Sequence, residues 1–158
     1  SALSNEAMAR AALLDRVAAP RVFPMVCAGS VQASAECYER SLPGRLDLVL
    51  LGLGADGHTA SLFPGDSALQ ERTRKVTVGR GPDPAPWRIT LSVPYINRAR
   101  AVWFLVAGAD KTDALARVLH GPEDPERTPA QAVARHARRV TLYVDRAAAG
   151  DGGKLPAP

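Results

Sequence analysis

The sequence predicts an α/β fold, a three-layer domain built on a mostly parallel sheet. Two apolar runs with the character of buried strands, Leu46–Leu51 and Ala101–Ala107, each stop at a glycine. Segments of helical spacing alternate with strand-like segments through much of the chain, the pattern of layered α/β proteins. A length of 158 residues with 46% hydrophobic content suits one core, and the 5% aromatic content means that Ala, Val and Leu must fill it. One domain over 1–150 is expected, followed by a flexible Gly- and Pro-rich tail at 151–158.

Each element has its own signal. Ser4 is an N-cap with Glu6 in the first turn, and Met8, Ala11, Leu14 and Val17 follow at helical spacing, so 5–18 reads as an amphipathic helix ended by Pro20. Arg21–Val26 reads as a short strand in an edge or irregular position, because Pro24 cannot donate to a ladder. Ser30–Leu42 reads as a helix stopped by Pro43-Gly44. After the central strand, Thr59–Leu62 is expected to begin a short helix, Asp66–Arg74 to be loop or irregular helix, and Lys75–Val78 and Arg88–Val93 to be strands around a rigid loop at 81–86. Tyr95–Arg98 reads as a turn or short helix. The strand at 101–107 leads into a helix over Asp110–Leu119, a charged loop, a short helix over Pro129–His136 and a last strand, Val140–Val144, with Asp145 capping a final turn. Trp87, Trp103, Phe104 and Tyr143 read as core residues, Tyr95 and Asn97 as possible pocket lining, and His120 and His136 as surface residues.

Composition narrows the function. The net charge of +4, from 20 Lys and Arg against 16 Asp and Glu, suits a small anionic ligand. Nucleic acid is not expected as a partner, because the arginines are scattered and no aromatic platform accompanies them. No apolar run approaches the roughly 20 residues of a membrane span, and the first residues show no leader pattern, so no membrane partner and a cytoplasmic location are expected. Cys27 and Cys37 have neither metal nor redox spacing and read as reduced thiols. Three histidines without matching cysteines carry no zinc signature. Gly52-x-Gly54 lacks the third glycine and the later acid of a dinucleotide fingerprint, so no cofactor and no metal are expected.

The stretch after the first buried strand is the densest in chemistry. Gly52, Gly54, Asp56, Gly57, His58, Thr59 and Ser61 crowd the place where open α/β sheets bind ligands, beyond the strand's carboxyl end. Glycine there lets backbone approach a ligand. These residues centre a candidate site on Asp56 and His58.

The residues from Leu51, LGLGADGHTASLFPG, resemble the signature of the 6-phosphogluconolactonases. The resemblance continues through WRITLSVPYINRARAVWFLVAGADKTDAL, through TPAQAVARHARRVTLYVDRAAA and, upstream, through Ser4-Asn5, so it covers nearly the whole chain. It implies the Rossmann-like fold shared with glucosamine-6-phosphate deaminases and ribose-5-phosphate isomerases, and hydrolysis of 6-phosphogluconolactone in the oxidative pentose phosphate pathway. Family members carry further chain before the Ser-Asn segment, with a G-G-S-T-P-like phosphate loop and a D-E-R motif. Here the nearest pieces, Gly29-Ser30 and Asp124–Arg127, stand elsewhere. The chain is therefore expected to match the carboxyl-terminal two-thirds of the family fold, as a truncated or short form. Its amino-terminally incomplete sheet would leave an edge, and self-association is one consequence.

The chemistry follows from the substrate that the resemblance implies. Lactone hydrolysis needs a base for water and donors for the oxyanion, and it requires no metal in principle. Imidazole suits the base role, which falls to His58, the role the family also implies. Asp56 could orient the imidazole, bind a sugar hydroxyl or fix the turn. Gly52, Gly54 and Gly57 shape the backbone, and their N–H groups could face the substrate carbonyl. Thr59 and Ser61 could donate to ligand, or cap the following helix, the reading favoured here. Lys111, at a strand-to-helix junction, and Arg88, opening the R-I-T-L strand, are the phosphate-binding candidates, and the resemblance implies both.

Overall fold

The computed structural model describes residues 5–18, 21–83 and 86–150. In chain order the elements are α1 (Asn5–Ala12), α2 (Val31–Ser41), β1 (Leu48–Leu51), β2 (Val76–Arg80), β3 (Trp87–Leu91), α3 (Val93–Asn97), β4 (Ala101–Val106), α4 (Thr112–His120), α5 (Gln131–Ala134), β5 (Val140–Val144) and α6 (Arg146–Ala149). Short 3-10 turns stand at Leu14–Arg16, Ser67–Gln70 and Ala109–Lys111.

The parallel sheet has the order β1-β4-β5. Val49 pairs with Val102 and Leu51 with Phe104, and Val102, Phe104 and Val106 pair with Val140, Leu142 and Val144. Period-two alternation puts all of these side chains on one face. They form the core with Ile96 of α3, Ala114, Leu115 and Val118 of α4, Val133 of α5 and Ala148 of α6. The connection from β1 to β4 contains an antiparallel hairpin, β2-β3, with Val76 opposite Leu91 and Arg80 opposite Trp87. α2 lies against this hairpin, where the Glu39 carboxylate accepts from the Lys75 N–H at 2.5 Å and pairs with Arg74 at 3.2 Å.

The parallel sheet with its helical layer follows the sequence expectation, but strands buried on both faces do not. Leu48, Leu50 (55% exposed), Leu105 and Tyr143 (49%) stand on the face opposite the core, where Trp103 meets Tyr143 edge to face at 5.3 Å. Among the described residues, the core helices α3–α6 cover one face only. Trp87, at the start of β3, is likewise exposed at 58%.

Other boundaries moved for local reasons. The expected long first helix ends at Ala12, because its apolar residues find little to pack on: Met8 is 65% exposed. A helix this short depends on such packing. Its expected cap, Ser4, lies outside the described residues, as do Pro20 and the tail at 151–158. Residues 21–26 pair with no strand, and Pro24 removes one ladder donor. Cys27 and Cys37 are joined as a disulfide, with Cα atoms 6.3 Å apart, which corrects the expectation of reduced thiols. The spacing hid this because α2 folds back onto the extended segment before it.

Candidate active site

β1 ends at Leu51 and hands the chain to a turn that closes on itself. The Gly57 N–H donates to the Gly54 carbonyl at 2.9 Å, and the Gly54 N–H donates to the His58 carbonyl at 2.9 Å. Gly57 has φ +96°, a conformation that disfavours a side chain, and its carbonyl accepts from the Ala130 N–H at 3.0 Å. Gly54 is required for a different reason: a Cβ there would collide with the His58 imidazole and the Asp56 carboxylate. A Cβ at Gly52 would meet nothing within 4 Å, so space does not demand glycine at that position. The N–H groups of Gly54 and Gly57 are spent inside the turn and cannot serve as oxyanion donors.

Asp56 and His58 form the polar centre. Asp56 Oδ1 accepts from the His58 backbone N–H at 3.0 Å and lies 2.7 Å from His58 Nδ1. One oxygen therefore fixes the turn and orients the ring together. Partial burial would raise the Asp56 pKa, but the His58 N–H, imidazole and positive charge outweigh it and hold the carboxyl below its ordinary value. A carboxylate only accepts, so Nδ1 carries a proton, and in the neutral ring Nε2 is then the acceptor. The imidazole, about one-third exposed at 32%, packs against Phe63 with ring centroids 4.6 Å apart.

The segment after His58 is a tight turn and not the expected helix. Thr59 and Leu62 form a β-bridge, and Ala60 between them has φ 51°, the left-handed region. Neither hydroxyl residue caps a helix here. Thr59 is buried and its Oγ1 donates to the Gly52 carbonyl at 2.8 Å, while the Ser61 N–H donates to Thr90 Oγ1 of β3 at 3.1 Å.

A second turn leaves the carboxyl end of β4. Gly108 has φ +101°, and its N–H donates to both Asp145 oxygens at 3.2 and 3.1 Å. Asp145 also accepts from the Ala148 N–H at 2.7 Å, capping α6 as expected. The following 3-10 turn presents Lys111, which pairs with Asp110 at 2.7 Å. That lysine holds the Asp110 carboxyl below its ordinary pKa.

The two turns meet at one cavity of about 540 Å³, bordered by Gly52, Gly54, His58, Ala60 and Lys111, with Met8, Leu50, Leu51 and Leu53. The structure thus brings together four of the residues singled out in the sequence: His58, Lys111, Gly52 and Gly54. Arg88 is not on this wall but on β3, paired with Gly79. Tyr95 is buried and donates to the Pro43 carbonyl at 2.8 Å, and Asn97 borders a different cavity and donates to the Ala132 carbonyl at 2.8 Å. Met8, Phe63 and Thr90 were missed. Met8 comes from a distant helix, and a contact between residues five apart in a glycine-rich turn has no periodic signal. Among the described residues, no group of three or more His, Cys, Asp and Glu is gathered where a metal could bind.

A parallel sheet that carries an Asp–His pair and a lysine on adjoining turns at its carboxyl edge defines an α/β protein with a ligand site at the strand ends. The chain belongs to the glucosamine-6-phosphate isomerase/6-phosphogluconolactonase family, whose sequence model matches residues 1–142. It is 42% identical over 152 residues to a 6-phosphogluconolactonase of Synechocystis, covering 88% of this chain and 62% of that one. Its fold matches the crystal structure of a devB protein with TM-score 0.83 at 28% identity, over 94% of this chain and 67% of that one. It also matches a 6-phosphogluconolactonase from Leishmania guyanensis with TM-score 0.66 at 34% identity, over 80% and 53% of the two chains. The chain spans between 49% and 66% of the length of the curated relatives it matches.

Proposed function

We propose that this chain carries the base and part of the phosphate site of a 6-phosphogluconolactonase, an enzyme hydrolysing 6-phospho-D-glucono-1,5-lactone to 6-phospho-D-gluconate in the pentose phosphate pathway. The observation that carries the reading is His58, held through Nδ1 by Asp56, on a cavity that it shares with Lys111. His58 Nε2 takes a proton from water as the oxygen attacks C1. The tetrahedral intermediate collapses with cleavage of the C1–O5 bond, and the imidazolium returns the proton to O5. Asp56 stabilises the imidazolium between the two transfers. Lys111 supplies charge for the phosphate, and Arg88 on β3 is the second candidate for an anion contact. The step needs no metal. A cytoplasmic location and association of two copies through β1, an edge strand among the described residues, belong to the same reading.

The family also includes glucosamine-6-phosphate isomerases, whose ring opening wants a carboxylate beyond the D-G-H core. Here Phe63 occupies the neighbourhood of the imidazole and Thr59–Pro64 contains no acid, which favours the lactone. Hydrolysis of the lactone, corrected for the spontaneous rate, tests the assignment beside ammonia release from glucosamine 6-phosphate. Turnover of the lactone alone, reduced about 1,000-fold in His58→Ala, is expected for a general base. Ammonia release, or a change of only a few-fold in His58→Ala, would overturn it.

A further inference from the structure

We propose that Phe63 is a positioning residue for His58, and that Gly81, at the end of the β2-β3 hairpin, sets where Phe63 stands. The inference rests on the lactonase reading for its effect on turnover, but not for its geometry. Phe63 packs on the imidazole with centroids 4.6 Å apart and planes inclined by 36°. The remaining freedom of His58, rotation of the ring away from Asp56, is blocked on the side that Phe63 occupies.

The hairpin also bounds Phe63. A Cβ at Gly81 would lie 2.6 Å from Phe63 Cε2 and 2.9 Å from Cζ. Gly81 is outside the left-handed region, so what position 81 requires is space and not an unusual backbone. The segment that carries Phe63 is fastened to the same hairpin. The Ser61 N–H donates to Thr90 Oγ1 at 3.1 Å, and Asp66 accepts from the Arg80 N–H at 2.8 Å. The Asp66 N–H in turn donates to the Phe63 carbonyl at 3.1 Å. With its backbone fastened, the Phe63 ring must give way to a new atom at position 81, and the shift is expected to be passed to the imidazole it packs on. The hairpin, which supplies no residue to the cavity wall, acts on the base through one ring.

A double-mutant cycle tests this. Gly81→Ala, Phe63→Leu and the double variant are compared by the ring resonances of His58 in NMR spectra and by lactone turnover. Gly81→Ala is expected to shift the His58 resonances and to lower kcat about 10-fold or more with KM within about two-fold, the signature of a displaced catalytic group. In the Phe63→Leu background, where the ring is gone, the same substitution is expected to change neither readout further. Phe63→Tyr, which keeps the ring, is expected to keep the parent spectrum. Unmoved His58 resonances in Gly81→Ala, or effects of the two substitutions that simply add, would overturn the proposal. The spectra decide it even if no lactone is hydrolysed, so a failure of the reaction and a failure of the positioning are told apart.

Discussion

The two turns at the carboxyl edge of the sheet are held by opposite means. The turn after β1 is held largely from within: Gly54, Asp56, Gly57 and His58 bond to one another, with outside bonds from the Ala130 N–H to the Gly57 carbonyl and from Arg117 to the Ala55 carbonyl. The turn after β4 is held from a distance: Gly108 hangs on Asp145, 37 residues further on, while the Lys111 ammonium pairs with its neighbour Asp110. The difference matches the roles proposed for the two side chains. A base must be set to a fraction of an ångström, whereas a cation that attracts phosphate acts over a longer range.

The comparison is broken most severely at Gly54. Gly54→Ala drives a methyl into the imidazole and the carboxylate, and is expected to cost about 100-fold in kcat and about 1–3 kcal/mol in stability, by overpacking. Steady-state kinetics with a urea titration check both. The second turn should respond in the other parameter. Lys111→Ala is expected to raise KM about 10-fold or more while kcat changes less than about three-fold, the pattern of lost ground-state binding. An unchanged KM would remove Lys111 from the phosphate site. Asp145→Ala tests whether the second turn is held from outside: it unties Gly108 and uncaps α6, and a loss of about 1–2 kcal/mol is expected in urea, with the NMR resonances of His58 unmoved.

The smallest effect separates the turns by pH. Asp56 and Asp110 are both held below their ordinary value of 3.8. A depressed carboxylate contributes stability that is fully present above the unfolded pKa and lost as pH falls through the folded one. Asp56→Asn is therefore expected to flatten the acid limb of the stability curve below about pH 4, by under ~1 kcal/mol at this exposure. Asp110→Asn, at a site screened by solvent, should flatten that limb less than Asp56→Asn does.

The legibility of these features in the sequence follows the same division. The first turn could be read because all its parts are local: glycines, acid and imidazole stand together directly after an apolar strand. Lys111 could be placed because Gly108 ends the second such strand. Arg88 could not, because its place depends on how the hairpin leaves the sheet, which no local pattern encodes. Thr59 and Ser61 looked like cap residues from type and position, but the carbonyl and the hydroxyl they engage, at Gly52 and Thr90, come from either side of the turn. The outer leucines of β1 and β4 were read as buried because an unbroken apolar run does not say which face has a partner. Phe63 was visible as a residue and invisible as a contact.

Those outer leucines have a practical result. With Leu48, Leu50, Leu105 and Tyr143 standing clear of the helices, apolar surface that in other proteins marks a loosened state belongs here to the folded one. The dye ANS, used to detect such surface, should fluoresce with this protein before any heating. A melting curve followed with it would start from a raised baseline, and its amplitude would understate the unfolding that circular dichroism records.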